Sequence, residues 1–412
     1  MKRNIVFVIN YFYPDYASTG QLLTELCLHI QHDFNITVIA AQPGYAGETN
    51  DTGKRIVRDR LENIDIIRIR LPKVDKQNKL SRLRYIATYF FYANLMVMKQ
   101  KNVDFIYTIS QPPILGGLIG TIGKVLKRAK HIYNIQDFNP EQAEAVGYTK
   151  NKLVFKAARW IDTLNCKWAD HIITVGQDMQ QTLRKRFSNQ KITNNTVINN
   201  WTNEQEIVPL RKQHPKVAEF IEQNGLKDKF IVMYSGNLGL YYDLENLIKI
   251  TNEFREVKDL VFVFIGEGAV KKQMQDYVQQ QQLSSKVQFL PYQPLENLKY
   301  SLNAADVHLV VNQKGIKGVS VPSKIYGVMA AGKPVLGVLE SGSEAYRLID
   351  ESQCGVVAEP QDYEEAVKQL HYLYNLTSTQ LAAVGKQGRT YLEAHLRRDL
   401  SLEKYRELLL SM

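Results

Sequence analysis

The chain has 412 residues, too many for one ordinary core and enough for two domains of usual size. Hydrophobic residues make up 44% and charged ones 23%, a globular composition that excludes a disordered or fibrous chain. The 52 Lys/Arg against 42 Asp/Glu leave +10, unevenly placed: the stretch through Asn200 holds 28 against 16, the remainder 24 against 26. A basic half beside a nearly neutral half predicts that one half faces something anionic. Cys27, Cys166 and Cys354 lie far apart, which excludes a disulfide framework and a cysteine zinc site and suits a reducing compartment. Met1-Lys2-Arg3 and the short apolar run after it lack the length of a signal peptide. No apolar run reaches the roughly 18 residues of a membrane span, so the expected place is the cytoplasm.

Taken in chain order, a strand over 4–9 runs into Tyr11-Phe12-Tyr13-Pro14-Asp15-Tyr16-Ala17-Ser18-Thr19-Gly20, and a helix over 20–31 follows. Gly20 at that helix start would let a ligand approach free backbone N–H groups, although capping alone also explains it. Strands follow over 36–40 and 65–70. The densest basic segment, 73–101, carries seven cations against Asp75 and encloses an apolar, aromatic stretch over 85–98. As a helix over 81–99 it would be apolar nearly all round. It could lie on an anionic membrane through Arg82, Arg84, Tyr85, Tyr89 and Phe90, or be a buried crossover helix with solvated ends. A strand over 104–110 and an apolar helix over 115–126 follow, the latter trailed by Lys124, Lys127, Arg128 and Lys130. The next strand, 131–136, leads to Asp137-Phe138-Asn139-Pro140-Glu141, where Asp137 is a candidate acid or base or else a turn former. Helices over 152–168 and 177–187 flank strands over 171–175 and 196–198.

The second half repeats the theme with strands over 230–235, 261–265, 287–290, 306–311, 334–339 and 355–358, and closing helices over 362–375, 378–395 and 397–411. Continuously apolar strands between helices predict parallel sheets covered on both faces: two doubly wound Rossmann-like α/β domains facing across a cleft. The expected limits are 1–203 for the first domain, joined by the last helix 397–412. A linker over 204–228 and a second domain over 229–396 complete the chain. Glycines recur at strand ends, in Ser235-Gly236-Asn237-Leu238-Gly239 and Gly266-Glu267-Gly268. In Val321-Pro322-Ser323-Lys324, a short helix is predicted to start with Ser323 and Lys324 in its first turn. A cation is unfavourable at a helix N-terminus unless an anion such as a diphosphate lies beside it. Glu344 follows a later strand and could face the cleft or begin a helix. No D-x-D occurs, which argues against a metal held by paired aspartates.

These motifs, in this order, resemble the retaining family-4 glycosyltransferases of the GT-B fold, in the bacterial surface-polysaccharide branch. The likeness rests on Tyr13-Pro14-Asp15 with Ser18-Thr19-Gly20, on Gln136-Asp137-Phe138-Asn139-Pro140-Glu141, on Asn199-Asn200-Trp201, on the two glycine turns, and above all on Val321-Pro322-Ser323-Lys324 with Ala330-Ala331-Gly332-Lys333-Pro334-Val335. The resemblance implies a hexosyl or N-acetylhexosaminyl transfer with retention, from a nucleotide-sugar donor (a UDP-sugar is expected) to a polyprenyl-diphosphate-linked saccharide at the inner membrane face. It implies no cofactor, no metal and no nucleic acid. Gly20, Gly236, Asn237, Glu267, Ser323, Lys324 and Glu344 are the expected donor-binding residues, and Asp137 and Lys324 the catalytic ones. Two departures stand out. Val319 and Gly327 occupy the slots of an E-x7-E pair that holds the donor ribose in many relatives, and Asn237 and Tyr242 stand near slots where relatives carry cations. A nucleotide-sugar epimerase or phosphorylase on the same fold, and a non-catalytic binder of nucleic acid or anionic membrane, are the alternatives.

Overall fold

A computed structural model describes residues 2–15, 18–43, 54–73, 78–148, 151–188 and 191–412. Tyr16 and Ala17 of the first loop and Val74, Asp75, Lys76 and Gln77 of the basic segment lie outside them. The chain forms two compact units. The first comprises residues 1–144, 149–199 and 402–412, the second residues 145–148 and 200–401.

The first unit is built on β1 (Arg3–Val8), β2 (Phe34–Ala41), β3 (Ile56–Leu61), β4 (Ile64–Ile69), β5 (Phe105–Ile109), β6 (Lys130–Ile135), β7 (His171–Thr174) and β8 (Asn195–Val197). They form one sheet in the order β3-β4-β2-β1-β5-β6-β7-β8. All neighbours are parallel except β3, which pairs antiparallel with β4 in register Leu61↔Ile64. The expectation of an all-parallel sheet is corrected there. β3 reads Ile-Val-Arg-Asp-Arg-Leu and is half exposed at the sheet edge, so it lacks the continuous apolar run that marks its neighbours. Its helices are α1 (Ser18–Ile30), α2 (Lys79–Lys99), α3 (Leu115–Lys127), α4 (Glu141–Ala145), α5 (Lys152–Trp168) and α6 (Met179–Arg186).

The second unit carries β9 (Phe230–Ser235), β10 (Leu260–Ile265), β11 (Val287–Leu290), β12 (Val307–Val311), β13 (Val335–Val338) and β14 (Gly355–Ala358), all parallel, in the order β11-β10-β9-β12-β13-β14. Its helices are α7 (Pro215–Gln223), α8 (Leu244–Leu247), α9 (Lys271–Gln280), α10 (Leu295–Ala304), α11 (Lys324–Ala330), α12 (Glu344–Ser352), α13 (Tyr363–Tyr374) and α14 (Ser378–His395). β10, Leu-Val-Phe-Val-Phe-Ile, is buried along its whole length, as a central parallel strand must be. The stretch 204–228, expected as a linker, carries α7, whose Val217, Phe220 and Ile221 pack with Ile231 and Val261 of the second sheet. A last helix, α15 (Arg398–Ser411), places Leu402 onward in the first unit. There Tyr405 is buried and accepts a hydrogen bond from Asn134 of β6 at 2.9 Å, and Arg406 pairs with Asp33 at 2.7 Å.

α3 lies close on the first sheet because its inner face is glycine: Gly116, Gly117, Gly120 and Gly123 are all buried. A Cβ at Gly116 would collide with the Ile109 carbonyl, and one at Gly120 with the His131 ring. Burial drives that imidazole down to about 3, so it stays neutral, with Thr108 Oγ1 2.8 Å from its Nε2. Backbone cannot yield as a flexible side chain can. Gly116→Ala is therefore expected to destabilise the first unit by about 3 kcal/mol, the upper end of ordinary overpacking, in denaturant unfolding followed by circular dichroism.

Candidate active site

In the second unit, β9 and β10 end side by side and both turn on a glycine. Gly236 has φ +145° and Gly266 φ +141°, conformations that L side chains rarely adopt. Gly236 N–H donates to the Ile265 carbonyl at 2.9 Å, Leu238 N–H to the Glu267 carbonyl at 2.9 Å, and Val270 N–H to the Leu238 carbonyl at 3.1 Å. The two turns lie so close that a Cβ on Gly266 would strike the Gly236 carbonyl, and one on Gly268 the Leu238 carbonyl. The glycines are needed for this approach, not only for turning.

Lys324 reaches this place from the first residue of α11, just after Ser323 at the N-cap. Its aliphatic stem crosses Gly236, where a Cβ would collide with Cε. The ammonium nitrogen stands 4.0 Å from the centre of the Tyr242 ring and 4.9 Å from that of Tyr234, a cation–π arrangement with two faces. Among the described residues no carboxylate forms an ion pair with it, and burial alone drives the amine down to about 7. Tyr234 is itself buried and donates its hydroxyl to the Asn237 carbonyl at 2.7 Å, which fixes the turn beside the lysine.

The other expected donor residues are placed as follows. Asn237 lies in the Gly236 turn, its side-chain amide against Gly239. Glu267 lies in the adjoining turn, but its carboxylate points outward to Lys271 at 2.6 Å, with 60% of the side chain exposed. Glu344 begins α12 beyond β13; it is 1% exposed and bonded to Arg347 at 2.7 Å, so contact with a ribose would require that pair to open. Gly236, Asn237, the Glu267 backbone, Ser323 and Lys324 thus share one strand-end region, whereas Glu344 is committed to a buried ion pair.

Gly20 and Asp137 belong to the first unit. Gly20 is the third residue of α1 and packs on Tyr11, whose backbone would lie 3.2 Å from an added Cβ. Asp137 follows β6, takes its N–H to Ser110 Oγ at 3.1 Å, and accepts from the Gln142 side chain at 3.1 Å. The loop it opens is held from below by Arg186. That buried guanidinium donates to the Asn139 carbonyl at 2.7 Å, pairs with Glu141 at 2.6 Å and with Asp162, and lies 4.9 Å from the Phe138 ring centre. Sequence reasoning missed Arg186, Tyr234 and Tyr242 as site-building residues. Tyr242 was visible only as an aromatic where a cation was expected, and Arg186 ends an ordinary polar helix. Of the expected membrane contacts, Arg82 and Arg84 are exposed and Tyr85 and Phe90 partly so. Tyr89 is a correction: it is fully buried, because it shares the inward stripe of α2 with Ala93, Met96 and Val97.

Residues 216–391, which span the second sheet and the Lys324 region, match the family "Glycosyl transferases group 1". The chain is 26% identical over 404 residues to the probable glycosyltransferase WbjE of Pseudomonas aeruginosa, covering 97% of this chain and 96% of that protein. It is 25% identical over 378 residues to the putative colanic acid biosynthesis glycosyl transferase WcaI of Escherichia coli (strain K12), covering 88% and 90%. The chain is a glycosyltransferase with a group 1 domain. Its fold is of the GT-B class, shared with HepE of Anabaena in complex with UDP (TM-score 0.73, 14% identity, 100% of both chains). It is shared also with sucrose-phosphate synthase of Thermosynechococcus elongatus (TM-score 0.75, 15% identity, 100% of both chains).

For this glycosyltransferase the geometry supplies one desolvated cation, two ring faces and a pair of glycine turns through which a ligand can approach backbone. Burying an ammonium without a counter-charge costs stability, because burial brings the folded lysine down to about 7 from its ordinary value of 10.5 in the unfolded chain. Between those values the unfolded chain binds the extra proton, so stability rises with pH across that window and is lowest below about 7. Lys324→Met is accordingly expected to raise the melting temperature of the ligand-free protein, and more at pH 6 than at pH 9. For the Asp137 loop, Arg186→Met leaves the buried Asp162 without its cation, while Glu141 keeps Arg159 at 3.2 Å. A loss of about 3–5 kcal/mol is expected in denaturant unfolding, the magnitude for breaking a buried pair.

Proposed function

We propose that this glycosyltransferase moves a hexosyl or N-acetylhexosaminyl group from a nucleotide-diphosphate sugar, a UDP-sugar, to a polyprenyl-diphosphate-linked saccharide in surface polysaccharide assembly. Transfer is with retention and needs no divalent metal. The observation that carries this reading is Lys324: a desolvated ammonium that no carboxylate among the described residues pairs with, seated on two tyrosine rings and against Gly236. A nucleoside diphosphate leaving group is the ligand such a cation lacks, since the charge that grows on the departing phosphate would be met by Lys324 and nearby main-chain N–H groups.

The donor is held by the second unit through the Gly236 and Gly266 turns, Asn237, Ser323 and Lys324, with Glu267 toward the nucleoside. In the first unit Asp137 orients the acceptor or the sugar hydroxyls, and the backbone at Gly20, in the first turn of α1, serves the donor's phosphates. The polysaccharide reading is supported by the E. coli relative, named for colanic acid biosynthesis, and the UDP reading by the nucleotide in the HepE structure.

The test is turnover by purified protein with membranes and a panel of labelled nucleotide sugars, followed by lipid extraction and linkage analysis. Lys324→Ala is expected to lower turnover on the order of 10²-fold, the effect of removing one transition-state charge contact, and chelator is expected to change nothing. Near-normal turnover in that variant would remove Lys324 from the reaction, and arrest by chelator would overturn the metal-free assignment.

A further inference from the structure

The excess charge of the first half has a definite place. Helices α2, α3 and α5 pack side by side: Lys127 of α3 donates to the carbonyls of Met98 and Gln100 at 2.5 and 2.7 Å, and Lys124 to that of Trp168 at 2.9 Å. Together the three helices carry ten Lys/Arg and one acid, Asp162, which is buried against Arg186. Their outer face is apolar as well as basic. Of seventeen large hydrophobic side chains exposed among the described residues, ten belong to these three helices. On α2 the exposed Leu80, Leu83, Phe91 and Met98 fall on one helical stripe, and on α5 Leu153 and Trp160 do the same, with Trp168 two turns beyond. Trp160 is 63% exposed and Trp168 52%.

We infer that this three-helix face is a docking surface for an anionic lipid bilayer, laid flat on the headgroups with its rings at their depth and its cations among the phosphates. This rests on the proposed function only in that a lipid-linked acceptor makes such contact useful; the face itself is independent of the donor site. No described helix is long and apolar enough to cross a membrane, and the proposal is of surface binding. Charge decides between occupants. A second copy using the same face would oppose like charges across the contact. A nucleic acid would meet the cations but leave the leucine, phenylalanine and tryptophan side chains uncovered, whereas a bilayer interface takes both.

The chain's three tryptophans make the test direct, because Trp201 is buried and only Trp160 and Trp168 stand on the proposed face. With vesicles of equimolar phosphatidylglycerol and phosphatidylcholine, emission is expected to shift to the blue and the full-length protein to sediment with the vesicles. Phosphatidylcholine vesicles alone should give neither, and added salt should weaken both effects. Arg84→Ala with Lys156→Ala should weaken partitioning about 30-fold, taking roughly 1 kcal/mol for each cation at the surface. Trp160→Ser with Trp168→Ser should abolish the shift and reduce sedimentation. Tyr372→Ser, exposed in the second unit, should behave as the parent chain. UDP binding is measured on the same samples. A protein that binds UDP and shows neither shift nor sedimentation overturns the bilayer assignment while leaving the proposed reaction standing. A shift that appears with protein concentration alone, alongside a doubled mass, assigns the face to a second copy instead. An equal shift with duplex DNA assigns it to nucleic acid.

Discussion

A charge without a counter-charge organises the second unit. The stem of Lys324 runs over Gly236, which forbids a side chain there; the Gly236 carbonyl in turn presses on Gly266, and the Leu238 carbonyl on Gly268. Three segments far apart in sequence are thus constrained by close approach. The two tyrosine faces offset part of the cost of desolvation, with about 0.5–2 kcal/mol each for a cation on a ring. Several kcal/mol per buried ion remain typical for the cost itself, so the rings do not balance it. A bound anion would balance it, and among the described residues no carboxylate takes that place.

Much of this fold can be read from residues alone. A central strand such as β10 is an unbroken apolar run, buried on both faces, and its limits follow from where that run stops. β3 escapes because an edge strand with three consecutive charged residues, Arg58-Asp59-Arg60, looks like a loop. α2 shows a deeper limit. Its sequence is apolar nearly all round, so helical periodicity predicts a helix but does not select the buried side. The structure turns Tyr89 inward and Phe91 outward, a choice made by packing against the sheet and α3.

The candidate site divides in the same way. Glycine turns and a lysine after proline are local signals, and local signals survive without a structure. The rings that receive Lys324 come from Tyr234 and Tyr242, some eighty to ninety positions earlier. No spacing rule connects them to α11. Arg186 is similar: it closes a polar helix and yet holds Phe138, Asn139 and Glu141 of the Asp137 loop through a ring, a carbonyl and a carboxylate. Glu344 shows the converse error, since a carboxylate after a strand end was available in sequence and already engaged by Arg347 in space.

Net charge and binding charge therefore mean different things in the two halves. The surplus of cations lies in the first half, and on α2, α3 and α5 it is spread over surface where water and salt reach it; beyond a Debye length of about 8 Å at physiological ionic strength such charges hardly feel a partner. They act as a field and favour any extended anionic plane, more so when leucine and tryptophan side chains can enter it. Lys324 stands in the half whose charge nearly cancels. It acts as a point, screened by protein instead of by salt, between two rings and a glycine. One feature could be counted in the composition; the other needed the fold, because desolvation is a property of neighbours and not of the residue itself.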